Sequence, residues 1–360
     1  MNVPSGKLVQ LQINADLGKA GSVGDRAEKV AQALLERGML HSVLARSRRF
    51  SELPSERVKT CFPGYRTLSL GINYLAKVHG MPVNSYRLRN RMFDRGFKAS
   101  VAECDTFHTW DRTPECLKRA REVGAVTALD VAMDLWAGDD LQYVDYIFVP
   151  SRKLCDKAVA LGFAEDRVCY QPFGVDTDFF TPARDAPDKV RFLFSGILND
   201  RKGIGQLLQA WKSANLRGAE LVLCGRETPF FRAAMRKISP ENVVVRGFLS
   251  HARLLDEYQA ARAFVFPSRK EGSAKALYEA LACGLPVITT VESGSVITDG
   301  VEGFLVGQQD VQALAEKLAL LAENADLAAR MGRAARQTAE QFTWRRYQER
   351  ALAYYQRMLA

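Results

Sequence analysis

The feature that most constrains the fold is an alternation of apolar runs with amphipathic helical patterns, which begins twice along the chain. The first series consists of a strand-like run at 7–14, a glycine-spaced loop at 15–25, a helical pattern at 26–38 and a second strand-like run at 39–46. The second series begins with RFLFSGI at 191–197 and continues in the same way. Alternation of this kind builds parallel sheets with helices on both faces, so the sequence predicts two doubly wound α/β domains.

A polar, proline-containing segment, ARDAPDKV at 183–190, separates the two series and predicts the domain boundary. A chain of 360 residues is also long for a single core, which favours two domains. The sequence therefore predicts one Rossmann-like domain at 1–182, a second at 183–342 and a last helix at 343–360. Ligands of such sheets bind at the carboxyl ends of the strands, so we expect the functional site in the cleft between the domains.

Composition argues against several classes of protein. The seven cysteines form no CxxC pair and the four histidines form no HxH or HxxxH pair, which disfavours a disulfide framework and a protein-bound metal. No uncharged apolar run approaches the roughly 18 residues that a membrane-spanning helix needs. The first residues lack the layout of a signal peptide. We therefore expect a cytoplasmic protein.

The net charge of +9 is concentrated in one region, because the whole basic excess lies between Arg46 and Lys98. Its densest part, SYRLRNRMFDRGFK at 85–98, interleaves basic and apolar residues. On a helix this pattern forms a basic surface with an apolar edge, which suits anionic lipid headgroups or an anionic acceptor. The plainer alternative is a solvated helix face; nucleic acid is disfavoured because no RNA-binding or zinc-finger pattern accompanies the charge. The basic residues of this surface are Arg87, Arg89, Arg91, Arg95 and Lys98.

Two glutamates flank a run of small residues in FPSRKEGSAKALYEALACGLPVI at 266–288. The preceding apolar run predicts a buried strand, and the helix cannot begin before Gly272, so Glu271 lies at the carboxyl end of that strand. The helix would place Glu279 in its second turn, facing the same cleft, and the leading amides of the helix would form an anion site. This arrangement suits a sugar nucleotide; in the alternative, Glu271 offsets the helix dipole and Glu279 is a solvated helix residue. The amides in question belong to Gly272, Ser273 and Ala274.

With the residues that follow it, this stretch resembles the E-x7-E signature of the family 4 retaining glycosyltransferases, which use nucleotide sugars and have two facing Rossmann-like domains (the GT-B fold). Two other segments are similar to that family more faintly: VPSRKLCDKAVALGFAEDRVCYQPFGVDTDFFTP at 149–182 and SGILNDRKGIGQLLQAW at 195–211. The positions that match the signature are Pro267, Ser268, Glu271, Gly272, Glu279, Ala280, Ala282, Gly284, Pro286, Val287, Gly294, Asp299, Gly300, Gly303, Leu305 and Val306.

The resemblance implies a nucleotide-sugar-binding domain at 183–342, an acceptor-binding domain at 1–182 and a last helix at 343–360 that crosses back onto the acceptor-binding domain. By this resemblance Glu271 contacts hydroxyls of the donor sugar, the amides of Gly272, Ser273 and Ala274 hold the diphosphate, and Glu279 binds the nucleotide ribose. Lys202 matches the family lysine that neutralises the diphosphate. A fixed lysine suits that role because charge develops on the leaving group. The nucleotide sugar is then a co-substrate, with no resident cofactor.

Other positions gain a role only through the resemblance. His108, which follows a strand-like run, matches a histidine that contacts the donor sugar, although a lone histidine is more often structural. Gly21 lies in the first glycine loop, near the donor phosphates and acceptor in the family, although the loop is also explained as a tight turn. Backbone around Gly247, Phe248 and Leu249 would hold the base.

The sequence departs from the family pattern at several positions. Ile197 stands where the family has an arginine, and Arg201 is the candidate to reach the same phosphates in its place. Ser273 stands where a phenylalanine is frequent, and Phe173 replaces an asparagine. These departures keep a non-catalytic glycan- or membrane-binding relative open as an alternative.

The function that the resemblance implies is retaining, metal-independent transfer of a sugar from a nucleoside diphosphate sugar to an acceptor hydroxyl. The basic segment at 85–98 lies in the half that binds acceptor, so we expect a glycan or lipid-linked acceptor, peripheral attachment to the inner face of the membrane, and a role in cell-surface polysaccharide or glycolipid synthesis. The alternative enzyme is a nucleotide-sugar 2-epimerase of the same fold, which needs no acceptor.

Overall fold

The computed structural model describes residues 7–18, 23–60, 85–184 and 189–360. The chain divides into two compact units. Unit 1 takes the described residues of Met1–Val149, Leu154–Gln171 and Gln348–Ala360, and unit 2 takes those of Pro150–Lys153 and Pro172–Tyr347.

The polar linker at 183–190 does not coincide with this division of the chain, because the long segment of unit 2 already starts at Pro172. The side chains of Phe173, Val175 and Phe180 are buried in the hydrophobic core of unit 2. Their burial fixes this segment to unit 2 although it precedes the polar linker.

Unit 1 contains a parallel sheet of seven described strands in the order β3-β2-β1-β4-β5-β6-β7. The order reverses between β1 and β4, as in a Rossmann fold. Its strands are β1 (Val9–Asp16), β2 (Leu40–Ser47), β3 (Val58–Thr60), β4 (Thr106–Thr109), β5 (Val126–Asp130), β6 (Tyr146–Val149) and β7 (Val168–Tyr170).

Unit 2 repeats the plan with six described parallel strands in the order β10-β9-β8-β11-β12-β13. The central strand β11 has the sequence AFVF with all four residues buried, the continuous apolar run expected of a strand covered on both faces. The strands are β8 (Val190–Ser195), β9 (Ala219–Cys224), β10 (Val243–Gly247), β11 (Ala263–Phe266), β12 (Val287–Thr290) and β13 (Gly303–Val306). The doubly wound α/β architecture predicted from the sequence is confirmed.

Helices alternate with these strands. Those described are α1 (Val23–Glu36), α2 (Ser85–Phe97), α3 (Pro114–Glu122), α4 (Arg152–Ala160), α5 (Ile204–Ala214), α6 (Pro229–Ile238), α7 (His251–Gln259), α8 (Lys275–Ala282), α9 (Val311–Glu323), α10 (Ala325–Ala339) and α11 (Trp344–Leu359). From Gln348 onward α11 belongs to unit 1, where the Tyr354 hydroxyl donates to the Tyr170 carbonyl at 2.9 Å.

The basic segment forms helix α2, which is anchored in unit 1 through its other face. Phe93 and Phe97 lie in the hydrophobic core. Asp94 is buried and accepts hydrogen bonds from the backbone amides of Glu115 and Cys116, so it caps the start of α3. These contacts determine which face of α2 is left to solvent.

Candidate functional site

In unit 2 the strand order reverses between β8 and β11, and a ligand of such a sheet binds outside the carboxyl ends of the strands at that point. The loop after β8 carries Arg201 and Lys202, and the loop after β11 carries Glu271. The topology therefore brings together three residues predicted from the sequence.

Gly203 joins the two loops. It has a left-handed φ of 72°, and a Cβ atom there would lie 1.9 Å from the Pro267 carbonyl oxygen. The Arg201 carbonyl accepts from the Arg269 amide at 2.9 Å and from Ser268 Oγ at 3.1 Å. The turn at 200–203 is thus fixed against the start of the second loop, and only glycine permits the approach.

Glu271 forms ion pairs with two cations, Lys202 and Arg201. Its Oε1 atom lies 2.6 Å from Lys202 Nζ and 2.6 Å from Arg201 Nη1, and it accepts from Ser268 Oγ at 3.1 Å. The Glu271 side chain is 9% exposed, that of Lys202 14% and that of Arg201 36%. Two positive charges thus face one negative charge, with Lys202 and Glu271 largely shielded from water and Arg201 partly exposed, which leaves a net positive charge to meet an anion.

The surroundings of Lys202 shift the pKa of its side chain. Desolvation lowers the pKa of Lys202 from its usual value, and the neighbouring Glu271 carboxylate opposes that shift. The ammonium group also lies 4.9 Å from the centre of the Phe266 ring. The lysine is thus a buried cation whose position is set by its partners.

The start of α8 lacks a side-chain cap. Its N-cap residue is Ala274, whereas α6 and α7 are capped by Thr228 and Ser250, which accept from backbone amides within the helix. The first amides of a helix need partners from outside it. An anion can supply them, because the helix dipole also favours negative charge there.

The residues ahead of α8 are small for a second reason, besides allowing a ligand to approach. Ser273 Oγ donates to the Gly294 carbonyl at 2.9 Å and lies 3.0 Å from the Tyr278 hydroxyl. A Cβ atom on Gly294 would lie 2.2 Å from the Gly272 carbonyl oxygen. The Gly-Ser-Ala run is therefore packed tightly on the turn at 291–294. Ser273 is only 7% exposed, so the space at position 273 is too small for a phenylalanine side chain.

Glu279 is buried, with 7% exposure, so the alternative of a solvated helix residue is wrong. Its Oε2 atom lies 3.1 Å from the hydroxyl of Tyr258, a fully buried residue of α7. Burial raises the pKa of Glu279, while Lys275, the Tyr258 hydrogen bond and His251 act in the opposite direction. The carboxylate is held in place by a residue that the sequence did not single out.

A cavity of about 440 Å³ lies beside this site at the ends of β8, β9 and β10. Its wall is mostly apolar, and Phe248 at its mouth is 86% exposed. Ile197, the position where the resemblance leads us to expect an arginine, also lines this cavity. The lining residues include Ser195, Gly196, Ile197, Cys224, Gly225, Phe248, Leu249, His251 and Leu254.

Sequence reasoning missed Tyr258, Ser268 as a partner of Glu271, and His251. The sequence indicated Ser268 only as a position of the family signature and not as a partner of Glu271. No sequence pattern indicated Tyr258, because its partner Glu279 lies on another helix. His251 follows the helix cap Ser250, which does mark the start of α7 next to the cavity.

The structure corrects the expectation for His108. The residue lies within β4 rather than after it, is 1% exposed and stacks on Trp110 and Phe148 with ring centres 4.3 and 4.5 Å away. Its Nδ1 atom lies 2.5 Å from the Tyr355 hydroxyl. Burial lowers the pKa of His108 to about 3, so the ring is neutral at neutral pH. These contacts place His108 in the packed interior of unit 1, with almost none of its surface exposed.

The remaining predicted residues lie in unit 1. Gly21, and the side chains of Arg87 and Arg89, lie outside what the structure describes. Arg91 and Arg95 are exposed on α2, and Lys98 pairs with Glu115 at 2.8 Å. Two apolar residues of this segment, Phe93 and Phe97, lie in the core and therefore do not form the expected apolar edge. Leu88 is 40% exposed.

Two further observations concern the described residues only. No group of three or more His, Cys, Asp or Glu residues among them is placed to hold a metal ion. None of their helices combines the length and the apolar character needed to cross a membrane.

Comparison with known proteins agrees with this geometry. Residues 176–338 match the family model "Glycosyl transferases group 1". The D-inositol 3-phosphate glycosyltransferase of Xylanimonas cellulosilytica is 31% identical over 229 residues, which cover 56% of this chain and 54% of the relative. The uncharacterized glycosyltransferase of Methanocaldococcus jannaschii is 30% identical over 42% of this chain and 44% of the relative. The chain spans about half the length of these curated relatives.

Solved structures match nearly the whole chain at low sequence identity. Sucrose-phosphate synthase from Thermosynechococcus elongatus superposes with a TM-score of 0.75 at 20% identity, covering 98% of this chain and 99% of that one. HepE of Anabaena, solved with UDP and glucose, gives a TM-score of 0.72 at 15% identity, with coverage of 97% and 99%. The pneumococcal O-GlcNAc transferase GtfA, solved with UDP and GlcNAc, gives 0.72 at 14% identity, with coverage of 98% and 99%. The chain thus has the predicted two-domain, Rossmann-like GT-B fold, and the family model and named relatives support a glycosyltransferase.

Proposed function

We propose that this protein is a retaining, metal-independent glycosyltransferase that moves a sugar from a nucleoside diphosphate sugar to an acceptor hydroxyl. The observation that carries the proposal is the convergence of Lys202 and Arg201 on Glu271 beside the uncapped start of α8. The amides at and just before the start of α8, together with these two cations, form a place for a diphosphate. The nucleotide sugar enters as a co-substrate, and no resident cofactor or metal is part of the proposal.

The proposed binding mode follows the order of groups along the donor. The diphosphate lies on the amides of Gly272, Ser273 and Ala274, with Lys202 and Arg201 alongside. Glu271 accepts from hydroxyls of the sugar, and Glu279 accepts from the ribose. The base occupies the apolar cavity beside Phe248, with backbone at Gly247 and Leu249 to recognise its edge. UDP is the first nucleotide to test, because HepE and GtfA were solved with it.

The chemistry depends on stabilising the leaving diphosphate. As the glycosidic bond breaks, negative charge grows on the phosphate oxygens, and preorganised cations lower the energy of that state. Lys202 and Arg201 already converge on one carboxylate oxygen of Glu271. When the donor binds, phosphate oxygens replace that carboxylate oxygen as the partner of the two cations. Retention then follows from attack on the face that the leaving group vacates, with a donor phosphate taking the acceptor proton.

The proposed acceptor is a glycan or a lipid-linked sugar, in cell-surface polysaccharide or glycolipid synthesis. The support is the exposed part of α2, where Leu88, Arg91 and Arg95 lie three and four residues apart on one helix face. A basic helix face with few apolar residues binds anionic surfaces mainly through charge. We therefore propose peripheral attachment of the protein to the inner face of the membrane.

The charge reversals Arg91→Glu and Arg95→Glu in one protein are expected to weaken binding to vesicles containing anionic lipid by at least about tenfold, since each basic residue near such a surface contributes roughly 1 kcal/mol. Sedimentation with vesicles measures this. The matched control reverses Arg330 and Arg333, two exposed arginines of α10 in unit 2. Equal binding by both variants and the wild type would rule out α2 as the membrane surface.

The enzyme proposal is tested by donor binding and donor turnover. Thermal-shift measurements with UDP, GDP, ADP and dTDP identify the nucleotide, and release of that nucleotide from its sugar donors is then compared with the Glu271→Ala variant. We expect the wild type to release nucleotide at least about a hundredfold faster, as for loss of one electrostatic contact in an active site. A wild type no faster than the variant with every donor would favour a non-catalytic relative. An epimerised sugar nucleotide formed without acceptor would instead identify an epimerase.

A further inference from the structure

Glu279 has two carboxylate oxygens in different surroundings. Oε2 lies 3.1 Å from the Tyr258 hydroxyl, which is also 3.2 Å from the Ala276 carbonyl oxygen. Oε1 accepts no hydrogen bond from the described residues, and the side chain keeps a small exposure of 7%. One oxygen is therefore held by the protein, and the other remains available to a ligand.

Tyr258 is rigidly placed for this contact. The residue has no exposure, and its ring packs against Phe264 and Phe180 with ring centres 5.6 and 5.9 Å away. It comes from α7, whereas Glu279 belongs to α8, so the hydrogen bond fixes the carboxylate relative to a second helix. A buried carboxylate without such a donor would pay the full cost of desolvation and would have freedom to turn.

We propose that Tyr258 is the positioning residue for ribose recognition: its hydroxyl orients Glu279 so that Oε1 faces the ribose hydroxyls of the donor nucleotide. The inference rests on the proposed function, because it assumes that Glu279 binds the ribose. Tyr258 itself does not touch the donor; it acts through the carboxylate.

The test compares UDP with 2′,3′-dideoxy-UDP, which lacks the hydroxyls that Glu279 would bind. We expect the wild type to prefer UDP, and the Tyr258→Phe variant to lose about tenfold in UDP affinity while its affinity for the dideoxy nucleotide changes by less than about twofold. Isothermal titration measures both affinities. A residue that only stabilised the fold would weaken both ligands equally.

Two variants serve as controls. Tyr355→Phe removes a hydroxyl from an equally buried tyrosine in unit 1 and should leave the preference for UDP unchanged. Glu279→Gln should abolish the preference, and adding Tyr258→Phe to it should cause no further loss, because the tyrosine acts through the glutamate.

The pH dependence gives a second readout. The titratable groups that interact with Glu279 are Lys275 and Cys283 at the two ends of its own helix, and Tyr258 and His251 on α7. The Tyr258 hydrogen bond favours the ionised carboxylate, so its removal raises the pKa of Glu279 further. On acidification the Tyr258→Phe variant should therefore lose its remaining preference for UDP at a higher pH than the wild type; His251 is unchanged in both proteins.

The outcomes separate this inference from the proposed function. A wild type that prefers UDP over the dideoxy nucleotide, together with an unchanged preference in Tyr258→Phe, overturns the inference and leaves the function standing. A wild type that binds both nucleotides equally removes Glu279 from ribose recognition and overturns the inference as well. A wild type that does not bind UDP argues against the proposed UDP-sugar donor and against the inference that depends on it.

Discussion

Replacing Lys202 by methionine is expected to lower kcat/KM by about 10²- to 10³-fold, the usual effect of removing one preorganised electrostatic contact from an active site. The Lys202 side chain is 14% exposed and lies 2.6 Å from Glu271, so its charge acts through a poorly screening medium. Methionine keeps the length and most of the volume of the side chain. Steady-state kinetics with the donor identified by thermal shift measure the effect.

Arg201→Met is the matched control, because it removes the same charge from the adjacent residue. The Arg201 side chain is 36% exposed, so solvent screens its charge more strongly and we expect a loss of only about tenfold. An Arg201 variant as damaged as the Lys202 variant would mean that the arginine fully replaces the cation missing at Ile197. A Lys202 variant with nearly wild-type kcat/KM would contradict the proposed role of the lysine.

A loss of activity must be separated from a loss of folding. Removing one partner of a buried ion pair destabilises a protein when the other charge is left unpaired. Here Glu271 keeps Arg201 and Ser268 as partners, so the folded state of the Lys202 variant should survive. Urea denaturation of the variants checks this.

The alternation of strands and helices could be predicted from the sequence because each element carries its own periodicity. Strand β8 was expected at 191–197 and occupies Val190–Ser195, and the apolar run before Pro267 is the buried strand β11. The glutamates could be found for the same reason, since Glu271 lies in the loop after a strand and Glu279 lies in the helix that follows that loop. Local patterns therefore located the loops that carry the candidate site.

The errors arose where a residue's role depends on a partner distant in the sequence. The sequence around His108 resembles that of a site residue. In the folded chain His108 contacts Tyr355, which lies 247 positions away in the sequence and completes an aromatic cluster. Phe173 and Phe180 precede the polar linker, yet they pack in the core of unit 2. Tyr258 was missed because nothing near it in the sequence indicates a carboxylate. Such pairings are properties of the folded chain.

Gly203→Ala is expected to destabilise unit 2 by about 2–4 kcal/mol, more than a left-handed backbone alone would cost. The φ of 72° costs an alanine roughly 1–2 kcal/mol, and the new Cβ would lie 1.9 Å from the Pro267 carbonyl oxygen. Because a backbone atom cannot turn aside, the turn at 200–203 and the loop after β11 must separate. Urea denaturation measures the loss in the free energy of unfolding.

The matched control for this substitution is Gly218→Ala. Gly218 has a φ of 75°, and nothing lies within 4 Å of a Cβ atom built there, so alanine incurs only the cost of the backbone conformation. The excess loss at Gly203 then measures the contact between the two loops. Since separation of the loops also moves Lys202 away from Glu271, Gly203→Ala should lose activity even where it is fully folded, because small displacements of catalytic groups are costly. Equal stability and activity in the two variants would show that the close approach of Gly203 to Pro267 does not hold the site together.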